Sequence, residues 1–319
     1  MAYAKRRSYK KPTGPKQSAH EIILATILAM LDKGVIPWHK PWAAGSTMQI
    51  MRGMVGKAYR GINTMILWCS GLTGPWFTFK QIKAMGGHVR KGEKGTKVVL
   101  WKSINKKNKT TGKDEWSYFM RTYTVFSLCQ ADKVDPAKLP AWYRKHQAAI
   151  EAQQDPNPFN EIEQAEKIWE AYRCKPEVSH GQTGAWYRPI EDTIGMPDRE
   201  AFDNEQEYYS TLFHEGVHST AAKHRVDRDL KMFFADHKAY SKEELIAEIG
   251  SAFLCGSAGI TCEKTLENSA AYIQTWRKKL TEDPKLIVQC ASAAQKAVDH
   301  ILGVEFDRKP EDQATTGQA

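Results

Sequence analysis

Five residues in the second half of the chain, His214-Glu215-Gly216-Val217-His218, have the types and spacing of a metal site on a helix. Residues four apart share one helical face, so both imidazoles can converge on a single cation. Glu215, next to the first histidine, can act as a general base toward water at that ion. Zinc is the expected cofactor, with another divalent transition metal such as manganese as the alternative. The preceding run Tyr208-Tyr209-Ser210-Thr211-Leu212-Phe213 has apolar helical periodicity, which predicts a helix over roughly residues 203–223.

A catalytic site of this kind needs a third protein ligand and an open position. Three residues compete for the role. Glu248 lies in the second predicted helix, 242–256, as does the third ligand of thermolysin-like zincins. His224 follows His214 by ten residues, the metzincin spacing, but that arrangement needs a glycine for the sharp turn and this chain has Ala221 there. Glu244 follows Ser241 by three residues and reads as the far half of a capping box. Glu248 is therefore the expected ligand, because a carboxylate beside an apolar helix face is ordinarily paired or ligating.

The charge distribution divides the chain. Residues 1–130 carry 23 Lys and Arg against 5 Asp and Glu, a balance of +18, and residues 131–319 carry 23 against 32, a balance of −9. A basic half of that strength calls for an anionic partner. The same half holds Trp38, Trp42, Trp68, Trp76, Trp101 and Trp116. Basic side chains follow a phosphate backbone and ring faces stack unpaired bases, so the combination points to single-stranded DNA rather than duplex. The expected contacts are Lys80, Arg90, Lys91, Lys94, Lys97, Lys106, Lys107 and Lys109, with Trp38 and Trp42 presented by the rigid Pro37 and Pro41.

The elements that position these groups are those of a two-domain α+β protein. A chain of 319 residues exceeds a typical single core. Residues 1–17 read as a disordered basic arm. Residues 18–130 read as a small α+β DNA-binding domain that can act alone, 131–160 as a connector with helix near 140–153, 161–303 as the metal domain and 304–319 as a polar tail. In the first domain Ser18 caps a helix ending at Gly34, further helices cover 61–69 and 78–85, and strands cover 97–102 and 117–127. The stretch 103–114 between those strands is a lysine-rich hairpin tip. The second domain has helices near 160–172, 265–280 and 284–302 besides the two that carry the site. A hairpin of 185–190 with 192–196 lies where an edge strand can hold an extended chain. No apolar run approaches the roughly 20 residues of a membrane span. The six cysteines form no C-x-x-C pair, which suits reduced, mostly buried thiols in the cytoplasm.

The run from Phe79 through Gly86-Gly87-His88-Val89-Arg90-Lys91-Gly92-Glu93-Lys94-Gly95 to Val99 resembles the signature of the ArdC antirestriction family. Tyr59-Arg60-Gly61-Ile62-Asn63 and Tyr123-Thr124-Val125-Phe126 are similar to that family as well, as are Trp186-Tyr187-Arg188-Pro189 in part, Met196-Pro197, the H-E-x-x-H, the run Tyr240–Glu248 and Asn268-Ser269-Ala270-Ala271-Tyr272-Ile273. The resemblance covers roughly residues 18–303. It implies a plasmid-borne protein that shields incoming DNA from host restriction. The amino-terminal domain would bind single-stranded DNA, as in some conjugative primases, and the carboxy-terminal domain would be a zincin-like metallopeptidase. In a catalytic version His214, His218 and Glu248 hold zinc, Glu215 is the base and Tyr272 steadies the oxyanion. Cleavage of host restriction or defence proteins, with DNA binding as targeting, is the alternative function. Where the family usually has Gly-His after the second zinc histidine, this chain has Ala221-Ala222.

Overall fold

The computed structural model describes residues 17–38, 50–72, 74–107, 114–152, 160–228, 237–260 and 270–304. The basic arm up to Lys16, Trp42, Lys109, Lys113, Cys262, Asn268 and the tail from residue 305 lie outside them, as do the side chains of Lys102, Lys106, Lys107 and Ser241.

The first half is built on a mixed sheet. Helix α1 (Ala19–Leu31) starts at the expected place: the Ser18 hydroxyl accepts from the Glu21 amide while the Glu21 carboxylate takes the Ser18 amide. Two short strands, β1 (Met51–Arg52) and β2 (Lys57–Ala58), precede helix α2 (Ile62–Cys69). Strand β3 (Trp76–Thr78) leads directly into α3 (Phe79–Ala84), which Thr78 and Gln81 cap reciprocally. The small strands β4 (His88–Val89) and β7 (Ala131–Asp132) pair with each other. Between them run the long β5 (Thr96–Lys107) and β6 (Asp114–Ser127). The hairpin thus extends into half of the stretch read from sequence as its tip. The sheet order is β2-β1-β3-β6-β5. Helix α4 (Ala141–Ala152) follows in the connector, and its Trp142 indole N–H donates to the Gly53 carbonyl at 2.8 Å, so the connector packs back on the first half.

In the second half α5 (Glu161–Ala171) precedes a three-stranded sheet of β8 (Glu177–Ser179), β9 (Trp186–Arg188) and β10 (Thr193–Gly195). The hairpin expected at 185–196 forms, with Ile194 opposite Tyr187 and β9 at the sheet edge. Helices α6 (Glu205–Ser219), α7 (His237–Ala258), α8 (Ala270–Glu282) and α9 (Leu286–Ile301) complete it.

The two halves share one core. Ile23, Ile27, Leu31, Ile62, Met65 and Ile66 of the first half belong to the same buried cluster as Phe213, Val217, Leu245, Phe253 and Val298 of the second. The run Tyr59–Asn63 fastens the first half to α9 and to the sheet. Arg60 pairs with Asp299, and the Gly61 amide donates to Gln295 at 2.8 Å. The Asn63 amide both donates to the Val99 carbonyl and accepts from its N–H, each at 2.8 Å, so one side chain pairs with the β5 edge as a strand would. Removing residues 131–319 would strip the covering from α1 and α2.

No helix among the described residues is long and apolar enough to cross a membrane. Cys255 and Cys290 are buried, and burial pushes the Cys290 thiol up to about 12. Cys129 and Cys174 are exposed, contrary to the expectation of mostly buried thiols.

Candidate metal centre

Helix α6 begins at Asn204, whose side chain accepts from the Glu207 amide, and runs straight through the H-E-x-x-H. Its inner face is buried from Tyr208 to Ser219, which fixes the rotation of the helix and with it the direction of both imidazoles. Helix α7 packs antiparallel against it. Ser251 donates to the Ser210 carbonyl at 2.8 Å at one end of the pair, and His218 meets Glu243 at the other. Gly250 makes the closeness possible: a β-carbon there would lie 2.7 Å from a Val217 methyl.

The two helices bring three donors to one point. The Nε2 atoms of His214 and His218 are 3.2 Å apart. Each lies 3.5 Å from an oxygen of Glu244, His214 from Oε2 and His218 from Oε1. All three donor atoms fall within 4.8 Å of one another. Nitrogens about 2.0–2.1 Å from a tetrahedral ion stand roughly 3.3–3.4 Å apart, so the observed separation fits a shared divalent cation. Two nitrogens and a carboxylate oxygen also form a chemically suitable set.

The structure brings a different carboxylate to the two histidines from the one expected. Glu244, not Glu248, joins the two histidines. The capping-box argument against Glu244 fails because α7 starts at His237, four residues before Ser241, so Glu244 sits inside the helix. Glu244 and Glu248 share a face, and the register of α7 on α6 decides between them. Glu248 is held elsewhere: the Tyr272 hydroxyl donates to its carboxylate at 2.8 and 3.0 Å. The expected oxyanion donor Tyr272 thus donates its hydroxyl hydrogen bond to Glu248 and accepts from the Trp38 indole at 3.2 Å. Burial, then the neighbouring Glu248 charge, raises the Tyr272 pKa well above the usual phenol value. His224 stays away from the site, exposed and 3.5 Å from Asp192.

Negative charge dominates the centre. Burial works against a charged His218, but the carboxylates of Glu243, Glu244 and Glu215 outweigh it and hold the imidazole pKa above its ordinary value. The same field favours a metal cation. Glu215 is buried, 8% exposed, beside the first histidine. Sequence reasoning missed Glu243, whose carboxylate lies 3.5 Å from His218 Nδ1 and is bound by Arg228. The only signal was its place next to Glu244 on an apolar helix, and a helix period alone cannot say which of two adjacent carboxylates faces inward.

The basic face is assembled differently. Lys80, Lys91, Lys94 and Lys97 are exposed around the α3–β5 connection. Phe79, 55% exposed, meets Phe126 edge-on with ring centroids 6.4 Å apart. Lys97 donates to Thr124 at 2.7 Å. Arg90 pairs with Glu93 at 2.8 Å and Asp132 at 3.4 Å. Trp38 is not presented to solvent as expected: at 2% exposure it is a core residue packed edge-on against Trp276, because the residues after α1 turn into the shared core. Trp101, 46% exposed on β5, is an outward ring of this half that sequence reasoning did not place among the DNA contacts.

A basic mixed-sheet half joined to a helical half with a two-histidine, one-carboxylate cluster defines a zincin-like two-domain protein. Residues 163–293 match the zincin-like metallopeptidase family and residues 17–126 match the N-terminal domain of the anti-restriction factor ArdC. The chain is 32% identical to an uncharacterized protein of Sinorhizobium fredii over 90% of this chain and 92% of that relative. It is 34% identical to the DNA primase TraC of Escherichia coli over 95% of this chain, which spans only 29% of the primase. The crystal structure of the antirestriction ArdC protein from the R388 plasmid superposes in its metal-free form with TM-score 0.67 and 33% identity, covering 94% of this chain and 99% of that one. The Mn(II)-bound form gives 0.68 over 92% and 100% at the same identity. The chain belongs to the ArdC antirestriction family.

Proposed function

We propose that the protein binds single-stranded DNA through its basic half, protects incoming plasmid DNA from restriction, and holds one divalent ion, zinc or manganese, at His214, His218 and Glu244. The observation that carries this reading is the joining, on one shared core, of an exposed lysine face around Phe79 to the His214–His218–Glu244 cluster. Lys80, Lys91, Lys94 and Lys97 supply charge for a phosphate backbone, and the Phe79 ring supplies a face for an unpaired base. Arg90 joins them only by leaving Glu93 and Asp132 in part.

A bound divalent cation supplies Lewis acidity that polarises a carbonyl and makes water acidic near neutral pH. His214 Nε2, His218 Nε2 and one Glu244 oxygen are the groups that hold it. Glu215 accepts a proton on its carboxylate and passes it to a leaving group. The edge strand β9, in contact with α6, offers backbone groups to an extended peptide. The retained Glu215 is what favours the second reading, an active protease that cleaves host restriction or defence proteins, because a structural metal site has no need of it.

Fluorescence anisotropy of the whole protein on labelled single and double strands over a salt series tests the DNA reading. Tighter single-strand binding with a steep salt dependence is expected, and equal affinity for both forms sinks it. A restriction-protection assay of Glu215→Ala separates the two roles of the metal half. Loss of protection with metal and fold retained supports proteolysis, and full protection leaves DNA coating as the function.

A further inference from the structure

Behind the donor cluster lies a second group of buried charges that the proposed chemistry does not use. Glu243 precedes Glu244 on α7, and its Oε1 lies 3.5 Å from Nδ1 of His218, the ring nitrogen opposite the donor nitrogen. Arg228 grips the same carboxylate with two nitrogens, one of them 3.1 Å from Oε2. The guanidinium does more than neutralise Glu243. It donates to the Val217 carbonyl at 2.9 Å and to the Thr220 hydroxyl at 2.6 Å, both at the end of α6. One arginine therefore joins the end of the helix that carries both histidines to the helix that carries the third donor.

The group is buried, with the Glu243 and Arg228 side chains 9% and 13% exposed. An ion pair so far from solvent is weak evidence for added stability, because desolvation offsets much of its attraction. Its geometry suits a different task. A carboxylate facing Nδ1 selects the tautomer with the proton on Nδ1, turns the ring and makes Nε2 a better donor.

We propose that Glu243 and Arg228 form a positioning pair that presents His218 Nε2 to the metal and sets the spacing between the α6 and α7 ligands. The proposal rests on the reading of His214, His218 and Glu244 as a metal site. Glu243 is neither a ligand nor a catalytic residue in it. Arg228 acts through Glu243 and through the Val217 carbonyl.

The test is calorimetric titration of metal-free full-length protein with Mn2+ and with Zn2+. Wild type is compared with Glu243→Ala, Glu243→Gln, Arg228→Lys and the control His214→Ala. Loss of a buried carboxylate partner to a metal-bound histidine ordinarily costs about 10–100-fold in affinity, and Glu243→Ala is expected in that range. Glu243→Gln keeps an oxygen acceptor for Nδ1–H and should recover most of the affinity. Arg228→Lys, which loses the fork, should fall between them. If Glu243→Ala proves too unstable to titrate, nitrogen-15 spectra of the His218 imidazole in Glu243→Gln and Arg228→Lys give a second readout. In metal-free wild type at pH 8 the neutral ring should be the Nδ1–H tautomer, with Nε2–H growing in Arg228→Lys.

Glu243→Ala binding metal within twofold of wild type, or a His218 tautomer unchanged across the variants, overturns the positioning role. Wild type and His214→Ala both failing to bind metal would overturn the underlying site instead, so the two failures are distinguishable.

Discussion

Around His214 and His218 charged side chains are buried or half-buried and held by one another, with Glu244 on both imidazoles, Glu243 on His218 and Arg228 on Glu243. On the other half Lys80, Lys91 and Lys94 stand in solvent on the surface of a sheet domain. A cation must be met by a few donors within tenths of an ångström, so the metal half fixes each group from two sides. A flexible polyanion is met by the sum of many weak contacts, so the basic half needs density and exposure more than precision. Damage should follow the same division: concentrated in single residues around α6 and α7, and spread thinly over the lysines.

The largest expected effect is at the donors. His214→Ala/His218→Ala should lower Mn2+ or Zn2+ affinity by more than about 100-fold, beyond the loss typical of an outer partner. Glu244→Ala should approach it while Glu248→Ala keeps the metal. Elemental analysis of the purified variants reads this directly. A loaded Glu244→Ala beside a metal-free Glu248→Ala would return the third ligand to the residue first expected from sequence.

The next effect tests whether the halves are separate at all. A β-carbon at Gly256 would lie 2.7 Å from the Trp68 ring, across the boundary between them. Gly256→Ala should cost about 1–3 kcal/mol by overpacking. It should lower the melting temperature of the whole molecule in a single transition. Two resolved transitions, only one of them shifted, would show that the common core does not make the halves fold together.

A smaller effect concerns acid. Asp192 accepts from Arg225 at 2.7 and 2.8 Å and from Tyr187 at 2.9 Å. Burial raises its pKa, but those hydrogen bonds and the Arg225 charge outweigh burial and hold it below the ordinary carboxylate value. A depressed carboxylate contributes stability above its unfolded pKa of about 3.9 and loses it as pH falls through the folded value. Asp192→Asn should therefore melt below wild type at pH 7, and the gap should close as the pH drops below about 3.9. A gap that is constant with pH would assign the loss to packing instead.

The smallest effect is at a single lysine. Lys80→Ala, Lys91→Ala or Lys94→Ala in the whole protein should each weaken single-strand binding only a few-fold, flattening the salt slope by roughly 0.7 for each phosphate left without its lysine. A single lysine variant that abolished binding would put this half in the same class as the metal half. Phe79→Ala should instead reduce the preference for single over double strands, since stacking is worth about 1–3 kcal/mol per base.

What the sequence determined by itself was everything that depends on local period and composition. The H-E-x-x-H read as helix because His214 and His218 recur at the helical repeat inside an apolar run. The α1 cap was legible in Ser18, and the structure adds its reciprocal bond with Glu21. The basic character of the first half needed only counting. The tertiary structure decided what depends on how one element lies against another. Glu244 and Glu248 occupy one face of α7, and only its antiparallel register on α6, with Gly250 against Val217, selects the first. Trp38 has the composition of a stacking residue and the surroundings of a core residue, because α8 covers it with Trp276 and Tyr272. Arg228 and Glu243 are fifteen residues apart, and no local pattern links them. The reason is the same in each case: a side chain's period fixes the face on which it lies, while its partner is set by a contact between elements that no short window of sequence contains.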